Sequence, residues 1–181
     1  MDRFPLLVKI IDAKDDLSIQ VHPDDAYAKA HENGSLGKTE CWFILDCKEN
    51  ATLVVGHNAK TKEELEQMIH EGRWKEFIRE IPIKPGDFIQ IDPGTVHAIK
   101  GGTLLLETQQ SSDITYRVYD YDRLSNGKPR QLHIVQSIDV ITVPAKSADN
   151  SVVHIEKKDD AIQQLIQCPY YTVYRIDVEH R

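Results

Sequence analysis

Three polar side chains that can begin a metal site lie at every second position of one short extended segment. Ser18, Gln20 and His22 alternate there with the apolar Ile19 and Val21. Residues two apart in a β-strand point to the same face, so we expect the three polar side chains to share one face. A neutral imidazole and an amide oxygen are both possible ligands of a metal ion. The segment therefore predicts the first half of a metal centre.

A carboxylate and a second imidazole occur later in the chain, each beside a predicted strand. Glu40 directly precedes the apolar segment Cys41–Leu45, and His97 follows a turn at Asp92-Pro93-Gly94. Glycine permits a sharp bend at that turn, which lets His97 point towards the earlier residues. Nitrogen and carboxylate ligands suit zinc, and also manganese, iron or cobalt. The predicted ligands are Gln20, His22, Glu40 and His97.

Each of these residues also has a simpler interpretation. A histidine at the end of a strand is more often a surface residue or a hydrogen-bonded core residue than a ligand. Glu40 lies close to Lys38 in sequence and could form a solvated ion pair with it. The combination favours a metal site because separate strands each place one candidate beside apolar neighbours.

The elements that must position these residues are mostly β-strands. Many short apolar segments are separated by turns rich in glycine and proline, a pattern typical of a β-sandwich or barrel. In the segment 114–121, alternation places Tyr116 and Val118 on one face and Arg117 and Tyr119 on the other. The strand pattern therefore predicts a β-fold with Arg117 on a polar face.

One long passage, residues 61–80, has a helical pattern instead. Thr61 followed by Glu64 predicts a capping box, and Leu65, Met68 and Ile69 form an apolar stripe. We expect two amphipathic helices packed on the β core. Near the end of the chain, residues 145–151 predict a linker and 159–167 a short helix, while 170–178 alternate like a strand.

Composition limits the possible functions. The chain has 181 residues and a formal net charge of −7, which argues against a nucleic-acid partner. It contains three cysteines without a CxxC spacing, as in cytosolic proteins with reduced thiols. The first residues are too charged for a signal peptide, and no apolar segment has membrane-spanning length. We expect a cytoplasmic protein with no membrane partner.

Several motifs together resemble one enzyme family. The segment Gly86–His97 resembles the second cupin motif, in which a PGD turn, a strand and PGTVH follow one another. Other segments, in the same order, are similar to motifs of the type I mannose-6-phosphate isomerases, in their short bacterial form: Leu17–Asp24, Gly37–Glu40, Tyr116–Arg123 and Gly127–His133.

The resemblance implies a fold and a domain organisation. It implies an all-β-dominated, cupin-type jelly-roll β-barrel with a small helical insertion at about residues 61–80. Residues 1–144 would form the catalytic cupin core, and residues 145–181 a linker and the start of a C-terminal cupin half. Family members carry a segment before the position of Phe4 and a second cupin domain after that of Arg181, so the chain resembles a core cut from a longer enzyme.

The resemblance also implies a reaction and a cofactor. The family interconverts mannose 6-phosphate and fructose 6-phosphate by proton transfer through an enediol intermediate. Gln20, His22, Glu40 and His97 would hold one zinc ion per chain.

Further residues are assigned by their match to family motifs or by their position. Arg117 matches the family's active-site arginine and would stabilise an oxyanion or the phosphate. Glu107 would handle the proton, although an ion pair with Arg117 is an alternative. Lys38, expected at the mouth of the site, would assist ring opening or hold the substrate. Ser18 and Lys100 would contact the substrate.

Two other functions compete with this prediction. The chain could be a non-catalytic sugar- or metal-binding cupin whose activity was lost with its flanking segments. It could also be another metal cupin, such as an iron dioxygenase, but Gln20 and Arg117 disfavour that class. In each case the sequence predicts a monomer or a weak homo-oligomer, and for the isomerase a phosphorylated hexose as substrate.

Overall fold

The computed structural model describes residues 4–147, 152–153, 155 and 162–178, and strands dominate them. The strands are β1 (Leu6–Ala13), β2 (Ile19–Val21), β3 (Glu40–Cys47), β4 (Thr52–His57), β5 (Ile78–Pro82), β6 (Phe88–Ile91), β7 (His97–Ala98), β8 (Thr103–Gln110), β9 (Tyr116–Tyr119), β10 (Leu124–Ser125), β11 (Lys128–Pro129), β12 (Val152–Val153), β13 (Ile162–Gln167) and β14 (Thr172–Ile176). The helices are α1 (Asp25–His31), α2 (Lys62–His70), α3 (Trp74–Phe77) and α4 (Ile134–Val140). None of these helices is long and apolar enough to cross a membrane.

Two five-stranded antiparallel sheets form the body of the fold. The first has the order β1-β8-β3-β6-β12 and the second the order β5-β4-β7-β2-β9. One apolar core combines Trp42, Ile44 and Leu105 of the first sheet with Leu53 and Val55 of the second. All five side chains are fully buried. A double sheet around one core is the arrangement of a jelly roll, so the predicted strand-dominated fold is confirmed.

A second apolar core, between β2 and the helices, fixes the orientation of the side chains of β2. Ile19 and Val21 pack with Leu65 of α2 and Phe77 of α3. Full burial of each such side chain contributes about 1.5–3 kcal/mol, so a slip of one residue would be costly. The alternate residue, Gln20, must therefore face away from the helices, towards the interior between the sheets.

The helical insertion is confirmed, although it ends earlier than predicted. Thr61 caps α2 by accepting a hydrogen bond from the backbone N–H of Glu64 at 3.2 Å. The Glu64 carboxylate accepts from the N–H of Lys60 instead of closing the predicted capping box. Residues from Ile78 onwards belong to β5, because they pair with β4 of the second sheet.

The predicted helix near the C-terminus is wrong over residues 162–167. These residues form β13, which pairs with β14 as an antiparallel hairpin, and β14 confirms the strand predicted within 170–178. Leu165 and Tyr171 of this hairpin segment pack on Cys41 and Phe88 of the first sheet. Tertiary pairing therefore decides the structure of a segment whose short pattern fits helix and strand equally. Residues 159–161 lie outside the described part, as do 148–151 of the predicted linker.

Candidate metal centre

The centre is built on three neighbouring strands of the second sheet. Gln20 of β2 lies directly opposite His97 of β7 on one side and opposite Arg117 of β9 on the other. Directly opposed residues in adjacent strands point to the same face of a sheet. The three side chains therefore share the inner face, and Gln20 Nε2 lies 3.2 Å from His97 Nε2.

Both histidine rings are held by backbone carbonyls. Nδ1 of His22 bonds to the carbonyl oxygen of Ile114 at 2.9 Å, and Nδ1 of His97 bonds to that of Thr95 at 2.8 Å. A carbonyl oxygen only accepts, so each Nδ1 carries the hydrogen and each Nε2 presents a lone pair. Burial lowers the pKa of His22 to about 4 and also lowers the pKa of His97. Both rings are thus neutral, the form that binds metal ions.

Glu40, the first residue of β3, brings its carboxylate to the same point from the opposite sheet. Its Oε2 lies 3.4 Å from His22 Nε2 and its Oε1 lies 3.3 Å from His97 Nε2. Burial opposes the charged form of Glu40, but the imidazoles of His22 and His97, in their protonated forms, and the Lys38 ammonium hold the pKa of the carboxyl well below its usual range, so Glu40 is a carboxylate wherever the two rings are neutral. The side chain is fully buried.

These groups fit a metal ion. The potential ligand atoms of His22, Glu40 and His97 lie within 4.8 Å of one another. Among the described residues, His22 Nε2 and Glu40 Oε1 are buried without a hydrogen-bond partner, and Glu40 Oε2 has only its ion pair with Lys38, at 3.1 Å. Buried polar atoms without partners are costly, and one cation at their centre would satisfy all of them. A half-turn of the Gln20 amide, which exchanges its oxygen and nitrogen, would turn the amide oxygen towards His97 Nε2 and offer a fourth donor atom.

Two more predicted site residues lie beside this centre. Lys38 Nζ is 3.1 Å from Glu40 Oε2, and the lysine side chain is only 7% exposed. Lys38 is therefore buried at the centre, and the expectation that it lies at the mouth of the site is wrong. Ser18 is also buried, with Oγ 3.5 Å from Oε1 of Gln20.

Arg117 is a partly engaged cation on the inner face. Its Nη1 donates to the carbonyl oxygen of Gln131 at 2.8 Å, and its backbone N–H donates to Nδ1 of His133 at 3.2 Å. Its Nε is buried and has no hydrogen-bond partner among the described residues. Burial, followed by the nearby charge of Arg130, lowers the pKa of Arg117.

Glu107 of β8 does not form the ion pair with Arg117 that was the alternative to a role in proton transfer. Its Oε1 accepts a hydrogen bond from Lys9 Nζ at 2.8 Å, and its Oε2 accepts from the indole Nε1 of Trp42 at 3.2 Å. The ion pair is therefore with Lys9 and not with Arg117. The Trp42 ring also contacts His97 edge-on, with 5.5 Å between ring centroids. Trp42 thus links Glu107 to the metal centre.

Lys100 does not join this group in the described structure. Its Nζ donates to both carboxylate oxygens of Glu80, at 2.8 and 2.9 Å. No hydrogen bond or ion pair with another described residue connects Lys100 to the four predicted ligands. Its role in substrate binding remains a prediction that these contacts do not support.

Sequence reasoning missed Lys9 and Trp42. Lys9 is a single charge within an apolar strand, and it also donates to Oε1 of Gln109 at 2.6 Å. An isolated lysine in such a segment is the signal that could have identified it. Trp42 lies two residues after Glu40 and therefore shares its face, a signal equally available from the alternation of β3.

Comparisons with known proteins agree with this geometry. Residues 1–43 match the family model of the phosphomannose isomerase type I catalytic domain. The chain is 56% identical over 173 residues to mannose-6-phosphate isomerase ManA of Bacillus subtilis, covering 95% of this chain and 55% of that protein. It is 52% identical to the mannose-6-phosphate isomerase of Streptococcus mutans, covering 95% of this chain and 54% of that protein.

A solved structure is also similar. The crystal structure of the mannose 6-phosphate isomerase from Bacillus subtilis matches with a TM-score of 0.84 and 50% identity, covering 96% of this chain and 56% of that one. The predicted fold and the resemblance to the type I phosphomannose isomerases are thereby confirmed. The chain spans about half the length of the curated relatives that it matches.

Proposed function

We propose that this chain is the metal-binding catalytic part of an isomerase that interconverts mannose 6-phosphate and fructose 6-phosphate. The observation that carries the proposal is the convergence of His22, Glu40 and His97, with Gln20 beside them, on one buried point. The similarity to mannose-6-phosphate isomerases over nearly the whole chain supports the choice of reaction. The full activity is a proposal because those relatives are almost twice as long.

The reaction defines what the site has to supply. A proton must leave the carbon next to the carbonyl group and return at the neighbouring carbon, while negative charge develops on oxygen. One zinc ion per chain, held by Gln20, His22, Glu40 and His97, would supply the Lewis acid that stabilises this charge. Manganese, iron and cobalt suit the same ligands.

Glu107 is our candidate for the proton transfer. Both of its contacts, with Lys9 and with the indole of Trp42, are ones that a carboxylate accepts. They also fix the orientation of the carboxylate, which a base requires in order to reach the same proton at each turnover. Lys9 and Trp42 therefore act as positioning residues in this proposal.

The cations of the site would stabilise and hold the substrate. Arg117 lies on the same face as the metal ligands, and its incompletely satisfied guanidinium is suited to an oxyanion or a phosphate. Lys38 would assist ring opening or hold a sugar hydroxyl. Ser18, next to Gln20, would contact the phosphate, and Lys100 remains a weaker candidate for the same task.

The proposal extends to the setting of the enzyme. Residues 1–144 form the catalytic core, and residues 145–181 contain a linker and the start of a second cupin half. We expect a cytoplasmic monomer or weak homo-oligomer whose partner is a phosphorylated hexose. The acidic net charge of −7 favours neither nucleic acid nor an anionic membrane as a partner.

The test is conversion of mannose 6-phosphate to fructose 6-phosphate by the purified chain, with zinc measured in the same sample. Turnover that a chelator removes and zinc restores supports the proposal. His97→Ala should abolish zinc binding and turnover, whereas the exposed His31→Ala serves as a matched control that changes neither.

Two other outcomes would point elsewhere. Stoichiometric zinc without turnover would favour the non-catalytic binding cupin. A folded chain that binds no zinc and turns over no substrate would contradict the metal centre itself.

A further inference from the structure

A second concave surface lies behind the strand that carries Gln20. It is a cleft of about 500 Å³ between the helical insertion and β9. Ile19 lines it, and because adjacent residues of a strand point to opposite faces, the cleft and the metal centre lie on opposite sides of β2. Its volume falls within the range of small-molecule sites. The substrate site proposed above does not use it.

Three aromatic side chains line one wall of this cleft. Trp74 stacks on Tyr119 with 4.5 Å between centroids and 12° between planes, and Tyr121 follows 5.2 Å from Tyr119. All three side chains are half-buried. Tyr119 belongs to this wall because a register shift between Ile19 and Gln20 places an extra residue in β9. The prediction that Tyr119 shares the face of Arg117 is therefore wrong.

Polar donors without partners lie among these rings. Within the described part of the chain, the indole N–H of Trp74 and the hydroxyl of Tyr121 make no hydrogen bond, whereas the hydroxyl of Tyr119 donates to Asp122 at 3.2 Å. A donor at an apolar wall costs free energy when it is desolvated without an acceptor. A ligand for the cleft should therefore offer both an apolar face and acceptor groups.

The rim of the cleft is close to neutral. Arg73 lies 2.9 Å from a carboxylate oxygen of Glu71 and 3.2 Å from one of Glu76. Arg123 lies over the ring of Tyr121 at 5.2 Å, but its guanidinium is already paired with a buried aspartate. Only Lys75 adds a charge to the lining without a counter-ion among the described residues. A phosphate dianion would need a stronger cationic clamp.

We propose that this cleft binds an uncharged hexopyranoside. A pyranose ring has a C–H face that packs on aromatic rings and hydroxyl oxygens that accept hydrogen bonds from the Trp74 N–H and the Tyr121 O–H. The near-neutral rim accepts an unphosphorylated sugar and does not favour a phosphorylated one. The cleft is thus a second carbohydrate site, separate from the metal centre and independent of catalysis.

The test uses methyl α-D-mannopyranoside, whose locked ring cannot open and which is therefore not a substrate for isomerisation. The chain contains two tryptophans, so its proton–nitrogen NMR spectrum should show two indole signals, which Trp74→Phe assigns. We expect the Trp74 signal to move saturably, with a millimolar dissociation constant, while the signal of Trp42 stays in place.

A matched pair of variants tests the role of the hydroxyl. Tyr121→Phe should weaken binding about fivefold, which is the usual effect of one lost hydrogen bond. Tyr174→Phe, on the exposed face of the C-terminal hairpin, should leave the affinity unchanged.

Four results would overturn the proposal. They are a Trp74 signal that does not saturate, an equal response to glycerol, a matching shift of Trp42, and equal affinity in Tyr121→Phe and the parent chain. Saturable binding of adenosine without binding of the pyranoside would overturn the choice of ligand class. None of these results bears on turnover or zinc content, so the proposed function is tested separately.

Discussion

Lys38→Met is the perturbation that most sharply probes the electrostatics of the metal centre. The lysine Nζ lies 3.1 Å from Glu40 Oε2, and the two side chains are 7% and 0% exposed. At an effective dielectric constant of about 20, two unit charges at that distance attract with about 5 kcal/mol. Methionine keeps most of the length of the side chain but leaves the Glu40 carboxylate without its counter-charge.

The expected effect depends on whether metal is present. Removing one partner of a buried ion pair costs about 3–5 kcal/mol, so we expect the metal-free variant to lose about 3 kcal/mol of unfolding free energy. Zinc would supply positive charge to the same carboxylate. At saturating zinc, the unfolding free energy of the variant should therefore be less than about 1 kcal/mol below that of the parent chain. By linkage, the variant should bind zinc about 30-fold more tightly than the parent chain, corresponding to about 2 kcal/mol.

The assay is urea unfolding of both proteins with and without zinc, together with zinc titration by calorimetry. Lys29→Met, at an exposed position of α1, is the matched control and should change stability by less than about 0.5 kcal/mol. Equal destabilisation of the metal-free and zinc-loaded forms would refute the reasoning, as would an unchanged zinc affinity.

Three further predictions follow from the site and its support. Arg117→Ala should abolish turnover and leave zinc content unchanged; loss of zinc would show that the arginine is structural. Trp42→Phe removes the hydrogen bond to Glu107 together with part of the buried indole ring, so kcat should fall about tenfold with little change in KM, and an unchanged kcat would exclude the positioning role. Arg130 and then Arg123, acting against burial, hold the pKa of Asp120 below its usual range. Asp120→Asn should therefore cost about 2 kcal/mol at pH 7 in urea unfolding. That stability is present above the unfolded-state pKa of 3.8 and is lost as pH falls through the lower folded-state pKa, so the difference should vanish in acid; a difference that persists there would contradict this origin.

The grouping of the proposed metal ligands could be predicted because strand alternation is a local property. Gln20 and His22 share a face for reasons visible within five residues, and the structure brings Glu40 and His97 to them. The partners of Glu107 could not be predicted in the same way. Lys9 is 98 residues away in sequence and meets Glu107 only through the pairing of β1 with β8.

Two other errors have the same origin. The placement of Tyr119 depended on a β-bulge, and a bulge is a property of two strands and not of one. The segment 162–167 is too short for its periodicity to separate helix from strand, and its pairing with β14 decided the outcome. Local pattern therefore predicted elements and faces, whereas register and long-range partners needed the fold.

The most direct test of the metal centre is the X-ray absorption spectrum of the zinc-loaded chain. A centre of two imidazoles, one carboxylate and one amide should give a first shell of nitrogen and oxygen only, at about 2.0–2.2 Å, with the scattering pattern of two imidazoles. Zinc–sulfur scattering at about 2.3 Å would instead place the ion at a cysteine such as Cys41, next to Glu40. That result, or an identical spectrum from His97→Ala, would contradict a centre built from Gln20, His22, Glu40 and His97.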